Sequence, residues 1–263
     1  MSIRTEGLSF SYRRSERVLD GIELTAAAGE ITFILGANGS GKTTLLSCCI
    51  GVLVPEAGKI TVDDVPLSAL SPRARARKIG FVPQVHNPVF AYTVWEVALM
   101  GRAPHLPLLS RPGRRDRELT ERALRAVGLW KLRDRPYTEI SGGERRLALI
   151  ARGLAQGVRY LLMDEPDAHL DPAFQHRTLS SLEELAHTQD IGIMVSSHHP
   201  NNAFLYADRV VILGGGRLIS NGPPNEAITP AALETAYGMP FELLDSGDGR
   251  RAVLPVTRSS RTA

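Results

Sequence analysis

Four clusters of residues have types and spacings that could do chemistry. Gly36-Ala37-Asn38-Gly39-Ser40-Gly41-Lys42-Thr43-Thr44 satisfies the pattern GxxxxGK[ST]. Glycines at these intervals let successive backbone N–H groups converge on an anion, and a helix beginning near Lys42 adds its positive end. In such a cradle the Lys42 ammonium reaches the β- and γ-phosphates of a nucleotide, and the Thr43 hydroxyl can ligate Mg²⁺. Asp164 and Glu165 follow the apolar run Tyr160-Leu161-Leu162-Met163, so two carboxylates are held where a strand ends. Asp164 is suited to the Mg²⁺, and Glu165 aims at the same place. Ser196, Ser197, His198 and His199 follow a second apolar run, Ile191 to Val195. Ser141-Gly142-Gly143-Glu144 sets a serine three residues before a glutamate, the pattern that caps a helix start, and a helix start with two glycines is where an anion could dock.

Such groups need a scaffold that brings strand ends together. Ile31 to Leu35 precedes the glycine-rich loop, and LLSCCIGVL follows it, closed by Pro55: strand, loop, helix. The runs at 160–163 and 191–195 have the continuous apolar character of strands buried on both faces, which belong to parallel sheets covered by helices. Ligands in open α/β sheets bind at the carboxyl ends of strands, so the polar residues after each run point at one site. Arg209 to Leu213 and Arg217 to Ser220, joined by three glycines, predict a hairpin. From about Thr93 to Gln156 the pattern is helical instead. Thr93 and Glu96 predict a capping box with Val94, Val97, Ala98 and Gly101 at helical spacing, Asp116 to Val127 predicts a second helix, and Ser141 to Ala155 a third. The expected organisation is an α/β core at 1–88 and 157–240, a helical subdomain at 89–156, and a tail at 241–263 with some strand before a disordered SSRTA end.

Bulk properties exclude several classes. The chain has 263 residues, 43% hydrophobic and 22% charged, with a formal net charge of +3. No stretch approaches the roughly 18 consecutive apolar residues of a membrane helix, and MSIRTEGLSF lacks a basic-then-apolar leader. A cytoplasmic chain is expected, peripheral at the inner face of the cell membrane if it works there. The arginines come without aromatic interleaving and read as a solvated face, so no nucleic-acid partner is expected. The only cysteines, Cys48 and Cys49, are adjacent and fit neither a disulfide nor a zinc site.

Ile140-Ser141-Gly142-Gly143-Glu144-Arg145 strongly resembles the signature of the ABC ATPases, usually LSGGQ. Other elements fall in that family's order across roughly residues 3 to 225. Tyr12 resembles the aromatic that stacks on adenine. Gln84, after the strand Ile79 to Val82, resembles the glutamine linking Mg²⁺ to the membrane partner. Ala168-His169-Leu170-Asp171 resembles the loop that contacts the other subunit, and His198, rather than His199, the histidine that holds the γ-phosphate. Two departures stand out: Glu144 replaces glutamine, where it can serve as a cap partner, and Asp167-Ala168-His169 replaces a segment that usually carries a small hydroxyl residue.

The resemblance implies a P-loop NTPase core with a mostly parallel sheet, an N-terminal antiparallel β region and an inserted helical subdomain. It implies two ATP molecules sandwiched in a head-to-tail homodimer, each between one cradle and the other copy's Ser141 and Gly143. Glu165 would act as general base, with Lys42, His198 and Gln84 in support and Thr43, Gln84 and Asp164 around Mg²⁺. The run from Thr93 to Leu106, Ser197 to Asn201, and Tyr237-Gly238-Met239-Pro240 are similar to ATPases of importers for iron chelates, haem, cobalamin and molybdate. That implies a separate permease and, indirectly, a substrate-binding protein. ABC ATPases acting on DNA or ribosomes form the alternative, but they carry coiled coils, paired cassettes or zinc cysteines, and none is visible here. A binding module that has lost hydrolysis is disfavoured because Lys42, Asp164, Glu165 and His198 are all present.

Overall fold

The computed structural model describes residues 1–13, 16–84, 90–107, 110–167, 171–247 and 251–256. Its strands are β1 (Ser2–Arg13), β2 (Glu16–Ala27), β3 (Ile31–Leu35), β4 (Ala57–Val62), β5 (Val65–Pro66), β6 (Ile79–Val82), β7 (Tyr160–Asp164), β8 (Gly192–Ser197), β9 (Arg209–Gly214), β10 (Arg217–Gly222), β11 (Phe241–Asp245) and β12 (Arg251–Pro255). Its α-helices are α1 (Lys42–Cys49), α2 (Pro72–Lys78), α3 (Val94–Leu99), α4 (Arg114–Ala126), α5 (Gly142–Ala155), α6 (Pro172–Gln189), α7 (Pro200–Tyr206), α8 (Pro224–Ala227) and α9 (Pro230–Tyr237).

Strand order in the main sheet is β10-β9-β3-β8-β7-β6. All its pairs are parallel except β9–β10, the hairpin expected at 209–220. β2-β1-β4-β5 form a separate antiparallel sheet. The main sheet is covered on both faces, which is why β3, β7 and β8 are buried at every position. Alternate side chains divide between two cores. Ile34, Leu162 and Met194 face α1 and the antiparallel sheet, whereas Phe33, Leu161 and Val195 pack with the helices of the other face. Cys48 and Cys49 lie in the first of these cores as free thiols, and burial raises both above the ordinary thiol range, Cys48 to about 11.

The helical stretch lies in the chain between β6 and β7, which are neighbours in the sheet. α3 has the expected capping box between Thr93 and Glu96. It stops at Leu99 and tightens into a 3-10 segment from Met100 to His105, rather than continuing as α-helix through Gly101. Pro104 lies in this segment and cannot donate to the Met100 carbonyl as an α-helix requires, and Gly101 packs closely, since a Cβ there would lie 2.1 Å from the Arg152 carbonyl oxygen of α5. Beside it the buried Arg102 donates to Asp116 at 2.9 Å and to the carbonyls of Ala155 and Gln156 at 2.9 and 3.1 Å, fastening α4 to the end of α5. α4 begins two residues before the expected Asp116 because that carboxylate turns back to accept from the Gly113 N–H at 3.0 Å. The described part of the tail holds β11 and β12 as an antiparallel pair, and the SSRTA end lies outside the described residues.

Gly101→Ala should lower stability by roughly 1–3 kcal/mol through overpacking. Urea unfolding measures this, and an unchanged midpoint would show that the 3-10 segment does not press on α5.

Candidate nucleotide site

β3 ends at the sheet's carboxyl edge and the chain turns through residues 36–41 into α1. Gly36 and Gly41 have φ of 152° and 101°. Added Cβ atoms there would lie 2.4 Å from the Leu213 carbonyl oxygen and 2.7 Å from Leu19 Cδ2, so glycine is required sterically at both positions. Gly41 caps α1 without a side chain, and no acidic residue stands in the first turn, so that turn's N–H groups are left for an anion. Lys42 is 5% exposed. Its ammonium donates to the Gly36 and Ala37 carbonyls at 2.8 and 3.0 Å and lies 3.8 Å from Glu165 Oε1. Burial pushes the Lys42 ammonium below its usual range, and the charges of Glu165 and Asp164 oppose that shift.

The carboxylates are set by the sheet register, which pairs Asp164 with Ser196. Asp164 Oδ2 accepts from the Thr43 hydroxyl at 2.8 Å and Oδ1 from the Ser196 hydroxyl at 2.6 Å. The Glu165 N–H donates to Ser196 Oγ at 2.9 Å, so one serine orients both acids. Glu165 has φ of 45°, a left-handed conformation uncommon for this residue type and frequent at functional sites. Its Oε2 accepts from the Gln84 amide at 2.8 Å and lies 3.5 Å from His198 Nδ1. The His198 contact is one of proximity, because Nδ1 is buried without a hydrogen bond.

Beside the loop is a cavity of about 770 Å³. Asn38, Gly39, Gly41, Lys42, Thr43 and Thr44 form its floor, Gln84, Glu165, His198 and His199 one wall, and Tyr12 with Val18 the other. Tyr12 hydrogen-bonds through its hydroxyl with Thr44 Oγ1 at 3.2 Å. Ser40 shapes the loop from within: it is buried, and its N–H donates to the Ala37 carbonyl at 3.2 Å. Thr43, Asp164 and the Gln84 amide offer the hard oxygen donors that suit Mg²⁺. Among the described residues no group of three or more His, Cys, Asp or Glu could hold a metal.

The signature segment is elsewhere. None of residues 141–144 lines that cavity. Ser141 caps α5, accepting from the Glu144 N–H at 3.2 Å while Glu144 Oε2 accepts from the Ser141 N–H at 2.8 Å. Glu144 is therefore a cap partner. A Cβ on Gly142 would meet open space, whereas one on Gly143 would meet the Phe174 ring at 2.9 Å. Three contributors were not assigned from the sequence, Val18, Arg146 and Asp167, and Ser196 and His199 were placed at the strand end without a role. Arg146, on the buried face of α5, donates to the Pro83 and Gln84 carbonyls at 2.7 and 2.8 Å. Its signal was a charge among Ala148, Leu149 and Ile150. Asp167 is 2% exposed and accepts from Ser197 Oγ at 2.9 Å and the Asn202 amide at 2.8 Å, so this departure from the usual hydroxyl turns inward. Ala168, His169 and Leu170 lie outside the described residues.

Residues 19–168 match the ABC transporter family. The chain belongs to that family. Among related ABC ATPases, the hemin import ATP-binding protein HmuV of Pseudomonas putida is 40% identical over 244 residues, covering 90% of this chain and 92% of its own length. The protein of the same name from Nocardia farcinica is 38% identical over 263 residues, covering 97% and 90%. A metal-chelate type ABC transporter in an inward-facing conformation superposes with a TM-score of 0.87 at 30% identity, covering 98% of this chain and 99% of that one. An ATP-binding cassette in its ADP conformation gives 0.77 at 26% identity, covering 86% and 93%. The chain is accordingly an ATP-binding, ATP-hydrolysing ABC subunit on a mixed α/β fold. No helix among its described residues is long and apolar enough to cross a membrane.

Ser196→Ala strips a partner from a buried Asp164 oxygen and from the Glu165 N–H. A loss of about 1–3 kcal/mol in unfolding free energy is expected, measured by urea titration. Unchanged stability would mean that water replaces the hydroxyl.

Proposed function

We propose that this chain is the ATPase subunit of an importer that takes up haemin or a similar metal chelate through a separate permease. The supporting observation for the chemistry is the convergence of Lys42, Thr43, Gln84, Glu165 and His198 on one cavity, with Asp164 joined to it through Thr43, drawn from three strand ends and the loop after β3. In this reading the N–H groups of residues 39–44 and the Lys42 ammonium bind the triphosphate, and Tyr12 stacks on the base. Thr43, Asp164 and Gln84 hold Mg²⁺, which when bound neutralises phosphate charge. Glu165, fixed by Gln84 and by its own backbone, orients a water molecule and accepts its proton, and His198 donates to the terminal phosphate.

Ser141, Gly142, Gly143 and Glu144 stand apart from the cavity within one chain, so a second copy is required to present its α5 N-terminus to the nucleotide. Residues 89–156 act as the subdomain that carries this signature, on a core of 1–88 and 157–240. Arg146 links them, since it joins α5 to the backbone of Gln84. The cargo assignment rests on the two hemin import relatives, which this chain matches over nearly its whole length. In this reading the subunit works peripherally at the inner membrane, and a substrate-binding protein delivers cargo on the other side.

Glu165→Gln should still bind ATP, turn it over at least about 100-fold more slowly and accumulate as an ATP-bound dimer in size exclusion. Turnover near wild type would remove Glu165 as the base, and a monomer in excess ATP would remove the sandwich. For the cargo, ATPase activity of the complex with its permease and capture protein should rise with haemin. A response to cobalamin or an oxyanion instead would reassign it.

A further inference from the structure

We propose that Tyr237 and the C-terminal strands β11 and β12 are part of the ATPase machinery, with Tyr237 and Asn201 as positioning residues for His198. The inference rests on the role given to His198 above.

The turn from Ser197 to Asn202 is held from two sides. On the inner side Ser197 and Asn202 donate to Asp167, and the His199 N–H donates to Ser197 Oγ at 3.1 Å. The tail supplies the outer side. Asn201 forms a two-point clasp with β12: its Oδ1 accepts from the Val253 N–H at 2.7 Å and its amide donates to the Val253 carbonyl at 3.2 Å. Val253 is itself buried in the main core. The Tyr237 hydroxyl donates to the His198 carbonyl at 3.5 Å, and its ring packs edge-on against Phe241 at the start of β11.

Tyr237 also touches the phosphate loop. Burial pushes its hydroxyl up to about 12, a hydrogen bond with the Gly36 backbone acts the other way, and the Glu165 charge adds to the rise. One phenol therefore lies between the first glycine of the cradle and the backbone of the histidine opposite, and it stays protonated and able to donate. His198 needs such support, because its side chain has no hydrogen bond to Nδ1. Its imidazole packs on His199, with ring centroids 4.0 Å apart, and approaches Glu165 without a hydrogen bond. The backbone on either side is what fixes its aim.

Tyr237→Phe removes the hydroxyl and keeps the ring on Phe241. In the full-length chain it should lower kcat about 3–10-fold, the worth of one hydrogen bond, while KM for ATP stays within about twofold. In a His198→Ala background the same substitution should add less than about twofold, because the two residues act in series. Asn201→Ala, which opens the clasp on Val253, should likewise lower kcat and not raise KM. Wild-type kcat in Tyr237→Phe, or an equal loss with and without His198, would overturn the proposal while leaving His198 catalytic. Wild-type turnover by His198→Ala would overturn both the proposal and the role given to His198.

Discussion

A lysine ammonium largely withdrawn from water governs this site. Removing a cation from solvent is unfavourable unless it finds partners, and Lys42 has only the carbonyls of its own loop and the nearby acids to call on. That requirement accounts for much of what surrounds it. The loop must curl back far enough to offer two carbonyls, which demands glycine where the chain approaches Leu213 and Leu19. Glu165 must bring its carboxylate inward, and it does so from an unfavourable backbone conformation. Ser196 and Gln84 then hold that acid in place. The local strain persists because β7 and β8 are buried and paired on both sides.

The same economy of contacts ties distant parts of the chain to the centre. Arg146 reaches from the signature helix to the backbone of Gln84, whose amide holds Glu165. A displacement of α5 would therefore be felt at the acid through two rigid links. Asp167 does a comparable service between the segment after Glu165 and the turn that carries His198.

Much of this was legible in the residues, for physical reasons. Fully apolar runs must be buried on both faces, so β3, β7 and β8 were recognisable along with the site at their ends. The cradle is dictated by backbone geometry, which leaves a mandatory glycine spacing in the chain. Capping at Thr93 and Ser141 is local and was equally visible. The supporting residues were not. Ser196 is one serine of two, and only the register that sets it opposite Asp164 distinguishes it. Arg146 and Asp167 act through contacts 62 and 35 residues away, which no local pattern encodes. The 3-10 stretch after α3 was missed because helical periodicity was followed through Gly101 without weighing Pro104, which lies within it.

Tyr12 is 63% exposed and meets the helix only through its hydroxyl. With that ring as the platform for the base, the site would sense an aromatic face, which all nucleobases share. Neither Tyr12 nor Val18, the two residues on that wall of the cavity, bears an amide or carboxylate to read a purine's edge. On the described part of that wall, the base would then be held through its face and not read along its edge.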